Sequence, residues 1–177
     1  VQRAQDAART VQTHDAPVVA AVQGYAIGAG AELAMSADFV LAAEDAEFRF
    51  PETTIGTYVG GGLTYTLPAR VGAAKARELV LQGATVTGTE AAEMGLATDA
   101  VPDADLQATA ADLAADLATN APIPIRLAKD QFDPAGDDRD SMLAAEADAL
   151  LDCMEAADWR EGVDAFAEDR TPSFEGR

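Results

Sequence analysis

Few architectures accommodate the stretch Pro17-Val-Val-Ala-Ala-Val-Gln-Gly-Tyr-Ala-Ile-Gly-Ala-Gly-Ala-Glu-Leu-Ala-Met35. Val18–Val22 is a short apolar run led by Pro17, the pattern of a buried strand. Gly24, Gly28 and Gly30 then punctuate a turn, where positive φ and close backbone approach are needed. From Ala29 onward Ala, Glu, Leu and Met favour a helix, read over 29–36. Strand, glycine turn and helix in that order leave unpaired N–H groups at the positive end of a helix dipole, a place to hold negative charge.

Two carboxylates accompany this turn. Glu32 lies on the first or second turn of the helix, close to the anion-binding amides. Glu52 follows Pro51 and stands beside Phe48 and Phe50, in a segment read as a loop. An oxyanion site with two glutamates nearby suits acid–base chemistry on a carbonyl compound.

Composition narrows the partners. The 177 residues, 49% hydrophobic and 24% charged, are enough for one domain with a real core and exclude a disordered chain. Acidic side chains number 31 against 12 basic ones, for a net charge of −19, and Lys75 and Lys129 are the only lysines. Nucleic-acid binding is excluded for want of a basic face. The acidic residues recur along the whole chain, so they read as a solvated shell of the kind found in proteins of salt-loving organisms. Cys153 is alone, which rules out a disulfide framework and a cysteine zinc site and makes it a small core residue. His14, the single histidine, ends a helix over 2–13 and has no second histidine with which to build a metal site. Neither a membrane span nor a signal peptide is visible, so a cytoplasmic protein without membrane contact is expected.

Further strands are expected at Phe39–Ala43 and Glu47–Phe50, with Asp38 as a polar turn residue. Helices follow at Leu63–Arg70 and Ala73–Gln82, separated by Gly72 and stopped by Gly83. Thr87-Gly88-Thr89-Glu90 has the capping-box pattern and opens a short helix ending at Gly95. A strand at Ala97–Val101 closes the mixed part. The remainder is helical: Leu106–Leu117; a helix with Pro122 and Pro124 in its first turn, to about Phe132; an acidic loop over 133–140; and apolar stripes at 143–154 and 159–166, the last N-capped by Asp158. The division is a partial α/β core over 1–105 and a helical oligomerisation region over 106–177.

These residues resemble the crotonase superfamily of enoyl-CoA hydratases and isomerases. The resemblance lies in Pro17–Met35, in Phe48-Arg-Phe-Pro-Glu-Thr-Thr-Ile-Gly56 and in Trp159-Arg-Glu-Gly-Val-Asp-Ala-Phe-Ala-Glu-Asp-Arg-Thr-Pro-Ser-Phe174, and it covers nearly all of the chain. It implies an α/β fold, a crotonase-like spiral of ββα units followed by C-terminal helices that build homotrimers, often paired into hexamers. It implies an acyl-CoA substrate, with coenzyme A as part of that substrate and no other cofactor or metal. The Ala29 N–H falls on an oxyanion-hole position, and Glu32 and Glu52 on the two catalytic glutamate positions. Gly28, Gly60, Gly61 and Tyr58 are placed against the substrate. Many isomerases keep only the glutamate at the Glu52 position, so retention of both favours hydration; enoyl-CoA isomerisation or another crotonase-type reaction is the alternative. Glu32 near a helix N-terminus suits a residue that takes a proton from water, and Glu52 beside two phenylalanines suits a proton donor to Cα.

Three departures qualify the resemblance. The chain begins just before the Pro17 strand, without the N-terminal segment that supplies the other oxyanion amide, which points to a fragment or a misassigned start. Where the family often has Gly-Ala-Gly-Gly-Thr-Gln-Arg-Leu, this chain has Gly60-Gly-Gly-Leu-Thr-Tyr-Thr-Leu67, so Tyr58, Tyr65 and the lost arginine reshape the acyl pocket. Asp169 stands where a CoA-reaching lysine is common. A truncated assembly subunit without activity is the reading of another class. A nicotinamide-binding Rossmann enzyme, suggested by Gly24-x-x-x-Gly28-x-Gly30 and by Glu44 or Asp45 after the next strand, lacks the Tyr-x-x-x-Lys pair and the alternation of strand and helix.

Overall fold

In the computed structural model, which describes residues 2–132 and 148–177, the strands of the chain are shared between two sheets. Helix α1 (Gln2–Gln12) leads into β1 (Val19–Val22), β2 (Tyr25–Ile27) and helix α2 (Ala29–Ala34). Strands β3 (Phe39–Ala43) and β4 (Glu47–Arg49), a 3-10 turn (Glu52–Ile55) and helix α3 (Leu63–Gln82) repeat the pattern. Strand β5 (Thr85–Thr87), helix α4 (Gly88–Glu93) and β6 (Asp99–Val101) follow. One sheet has the order β1-β3-β6, all parallel, and the other the order β2-β4-β5. The β2–β4 pair is parallel and the β4–β5 pair antiparallel. Each of the first two ββα turns thus adds one strand to each sheet, as the expected spiral requires, and β5 and β6 then extend the second and the first sheet. A doubly wound nucleotide-binding sheet would instead collect its strands into one layer.

Residues that are apolar on two sides form the core. Phe48 and Phe50 alternate with Arg49 on and beyond β4, and both are fully buried with Leu63, Leu67, Leu79 and Leu96. Burial of each phenylalanine contributes about 1.5–3 kcal/mol. Thr87 accepts from Glu90 N, and Glu90 Oε2 accepts from Thr87 N, so the expected capping box closes α4. Gly72 breaks α3 into the two expected segments, and Gly83 ends it.

Several local expectations are corrected. A three-residue strand, β2, occupies the space between Gly24 and Gly28 that was read as turn, and β5 was not anticipated. Both are short enough for turn residues at their ends to dominate the sequence signal. Gly24 and Gly28 have positive φ, whereas Gly30 sits inside α2. Glu52 opens a 3-10 turn rather than lying in a loop.

The chain divides into two compact units, Val1–His14 with Val18–Leu113, and Asp15–Pro17 with Ala114–Arg177; the boundary falls within α5 (Leu106–Ala118). Leu106 is buried in the core of the first unit. The second unit holds α6 (Pro122–Gln131), a helical stretch at 148–155 and α7 (Ala157–Glu168). The acidic loop at 133–140, and the part of the 143–154 stripe before residue 148, lie outside the described residues. Asp158 is not the N-cap of α7. Ala156 holds that position, and the buried Asp158 carboxylate accepts from Glu175 N and Gly176 N at 2.8 Å each, tying the tail to the helix. Cys153 is half-buried, lining an apolar cavity of about 330 Å³ with Trp159, Val163, Phe166 and Phe174, and is not a core residue. Among the described residues no helix is long and apolar enough to cross a membrane.

Candidate active site

Strand register brings Glu52 to the start of α2. In the second sheet Ile27 of β2 pairs with Arg49 of β4, and Gly28 N continues the ladder to Arg49 O at 2.9 Å. Residues just beyond β4 therefore arrive beside residues just beyond β2. The Glu52 carboxylate lies against Gly28, where a Cβ would stand 3.0 Å from Glu52 Oε1. Gly28 has φ 56° and caps α2, so both its backbone and its neighbour exclude a side chain. The 3-10 turn is pinned from behind: Thr53 Oγ1 donates to Val80 O at 2.7 Å, and Arg49 Nε donates to Gly83 O at 2.9 Å.

Glu32 joins this site through α2. Its N–H closes the first helical hydrogen bond to Gly28 O at 2.9 Å, which puts it one turn from Gly28, the residue that the Glu52 carboxylate lies against. Its carboxylate accepts from Gly60 N at 3.2 Å on Oε1 and 3.3 Å on Oε2, and from Gly61 N on Oε2. Both carboxyl groups are buried, Glu32 at 7% and Glu52 at 6% exposure. They differ in what they touch. Glu32 has two amide donors, whereas Glu52 Oε2 is buried with no hydrogen-bond partner. An oxygen of that kind costs free energy unless it serves a ligand or a proton.

Ala29, the first residue of α2, is exposed, and its N–H has no intrahelical acceptor. The expected oxyanion donor is therefore open at the helix end that favours negative charge. The other end of α2 is closed by a residue the sequence reading overlooked. Arg70, from α3, donates from Nη2 to Met35 O at 3.2 Å and Ala37 O at 2.5 Å. Burial lowers the Arg70 pKa from its ordinary value, and the charge of Asp38 opposes that shift. Asp38 Oδ2 also accepts from Val18 N at 2.7 Å, fixing the entry to β1. Only a sequence reader who asked what satisfies the last carbonyls of α2 would have looked for a cation.

Tyr58 is largely exposed and does not share the enclosure of the two glutamates. It borders a cavity of about 340 Å³ with Leu63, Leu67, Arg77, Val80 and Leu81. Among the described residues no group of His, Cys, Asp and Glu has an arrangement that holds a metal ion.

The model of the family described as enoyl-CoA hydratase/isomerase matches residues 2–177. The chain is 36% identical over 168 residues to 2,3-dehydroadipyl-CoA hydratase of Escherichia coli (strain K12), covering 94% of this chain and 66% of that protein. It is 41% identical over 162 residues to a probable enoyl-CoA hydratase of Rhodobacter capsulatus, covering 91% of this chain and 63% of that protein. The crystal structure of enoyl-CoA hydratase from Bacillus anthracis superposes with a TM-score of 0.96 at 35% identity, covering 99% of this chain and 69% of that one. The chain thus spans a little under two thirds of the length of the curated relatives it matches.

Proposed function

We propose that this chain, which belongs to the enoyl-CoA hydratase/isomerase family, carries the acid–base centre of an enoyl-CoA hydratase. The substrate is an enoyl thioester of coenzyme A. Glu32, held by the amides of Gly60 and Gly61, orients a water and takes its proton as the water oxygen bonds to Cβ. Glu52 gives a proton to Cα. The charge that develops on the thioester oxygen is met by the Ala29 N–H. One proton is taken up and one is given out, so the pair returns to its starting state by exchanging a proton with solvent.

One observation carries this reading. The Glu52 carboxylate, buried with an unpartnered oxygen, lies against Gly28, and Glu32, whose buried carboxylate is held by two backbone amides, sits one helical turn from Gly28. A structural ion pair would join such a group to a cation; among the described residues the Glu32 carboxylate is held by backbone amides, and Glu52 Oε2 has no hydrogen-bond partner. The cavity beside Tyr58, walled by Leu63, Leu67, Val80 and Leu81 with Arg77 at its edge, offers room for an acyl chain. We further infer an acidic protein adapted to concentrated salt, assembled as a homotrimer or a hexamer through its C-terminal helices. The exposed Trp159, Val163 and Phe166 of α7 support that assembly.

The test is hydration of crotonyl-CoA, followed by loss of enoyl-thioester absorbance in concentrated KCl. Wild-type activity that falls by at least a hundredfold in Glu52→Gln supports the reading, on the order of what a positioned acid–base group contributes. Hydration that survives Glu52→Gln would overturn it.

A further inference from the structure

Gly72, at φ 77°, kinks α3, and the segments on either side of it both line the cavity of about 340 Å³ beside Tyr58. Leu63 and Leu67 reach it from the first segment, one helical turn apart. From the second, Ala73, Arg77 and Leu81 recur on one helix face, with Val80 beside them. An arginine thus stands in a stripe that is otherwise apolar. Charge sets the position apart. The chain has 31 acidic side chains against 12 basic ones, yet among the described residues no acid lines this cavity. Glu78, the next residue along, is engaged by Lys75 at 2.8 Å. Arg77 has no ion-pair or hydrogen-bond partner among the described residues. Two other cavities each include an aspartate, Asp158 in one and Asp15 in the other. The cavity also shares its walls with the candidate site. Thr53, next to Glu52, donates to Val80 O at 2.7 Å, and Leu63 directly follows the glycine run that holds Glu32.

Resting on the hydratase reading above, we propose that Arg77 selects enoyl thioesters whose acyl chain ends in a carboxylate. The leucines and Val80 take the methylene chain, and the Arg77 guanidinium takes the terminal carboxylate, with the Tyr58 and Thr64 hydroxyls as further donors bordering the same space. A methyl-ended chain of equal length fills the apolar walls as well but leaves the cation without a partner, and the discrimination is that difference. Arg77 is exposed, so its pairing is screened by salt and the selection is modest.

The test compares kcat/KM for hexenedioyl-CoA and octenedioyl-CoA with that for hexenoyl-CoA and octenoyl-CoA at one fixed KCl concentration. Wild type is expected to favour the carboxylate-ended chain about three- to tenfold at one or both lengths. Arg77→Met is expected to bring the ratio to one or below, and Arg77→Lys, which keeps the charge without the planar fork, to retain part of it. A wild-type ratio of one at both lengths, or a preference that survives Arg77→Met, would overturn the proposal. So would an Arg77→Met variant that loses crotonyl-CoA by the same factor as hexenedioyl-CoA, since Arg77 would then meet a phosphate of coenzyme A. A wild-type chain that hydrates none of these thioesters would overturn the hydratase reading instead. The selection is then decided by calorimetric titration with the saturated thioesters adipyl-CoA and suberyl-CoA against hexanoyl-CoA and octanoyl-CoA. Tighter binding of a carboxylate-ended chain that Arg77→Met removes supports the selection, and equal binding at both lengths overturns it.

Discussion

A carboxylate oxygen that is buried and unpartnered, as Glu52 Oε2 is, weakens the fold that contains it. Glu52→Gln is therefore expected to abolish hydration while leaving the thermal midpoint unchanged or raising it by a few degrees, the direction of a stability–activity trade-off. A calorimetric scan that shows a clear drop would mean that Glu52 is a structural residue. Gly28 behaves oppositely: Gly28→Ala places a Cβ against Glu52 at positive φ and is expected to cost both activity and stability. At this scale the sequence was legible where chemistry is written in residue type. Glu32, Glu52 and the glycine before the helix stood out by spacing. The seating of Glu32 on Gly60 and Gly61, two residues expected against the substrate, did not, because an amide donor leaves no trace in residue identity. Arg70 was missed for the complementary reason, since its partners are carbonyls 33 and 35 residues away.

Elements with strong end signals were read correctly, and short ones between turn residues were not. The capping box at Thr87 fixed α4 from four letters, whereas β2 and β5, of three residues each, carry too little alternation to compete with the glycine and threonine around them. Thr87→Ala is expected to cost about 1 kcal/mol in chemical denaturation, in line with loss of an N-cap. In the second unit Arg170 donates to Glu161 at 2.6 and 2.9 Å, and Ser173 N joins them at 2.8 Å. These partners hold the Glu161 carboxyl down to about 2 from an ordinary 4.5. A folded-state pKa below the unfolded one means that the contribution is present above about 4.5 and is lost as pH falls toward about 2. Limited proteolysis of the C-terminal tail is expected to accelerate through that window in wild type, and Glu161→Gln is expected to flatten the dependence. An equal acceleration in both proteins would assign the effect to other groups.

For the whole molecule, a net charge of −19 sets the terms. Self-repulsion of that size is relieved by counter-ions, so the thermal midpoint is expected to climb steadily as KCl is added well beyond the range where simple screening saturates. A flat or falling midpoint would remove the halophilic reading. The ββα spiral was legible only through the family resemblance, because sequence periodicity does not say which strands share a sheet. The exposed apolar face of α7 was visible as periodicity, but sequence alone left its destination open between an internal core and a partner chain. Its exposure in the single chain favours a partner, and Phe166→Asp is expected to lower the apparent mass in size-exclusion chromatography.

The proposed hydration needs two carboxylates that act as one unit, and the crotonyl-CoA hydration rates of Glu32→Gln, Glu52→Gln and the double variant test that most directly. Residues that share one proton-transfer cycle are non-additive, so each single variant is expected to lose nearly all activity and the double variant little more. A single variant at either position that hydrates at the wild-type rate would contradict the account.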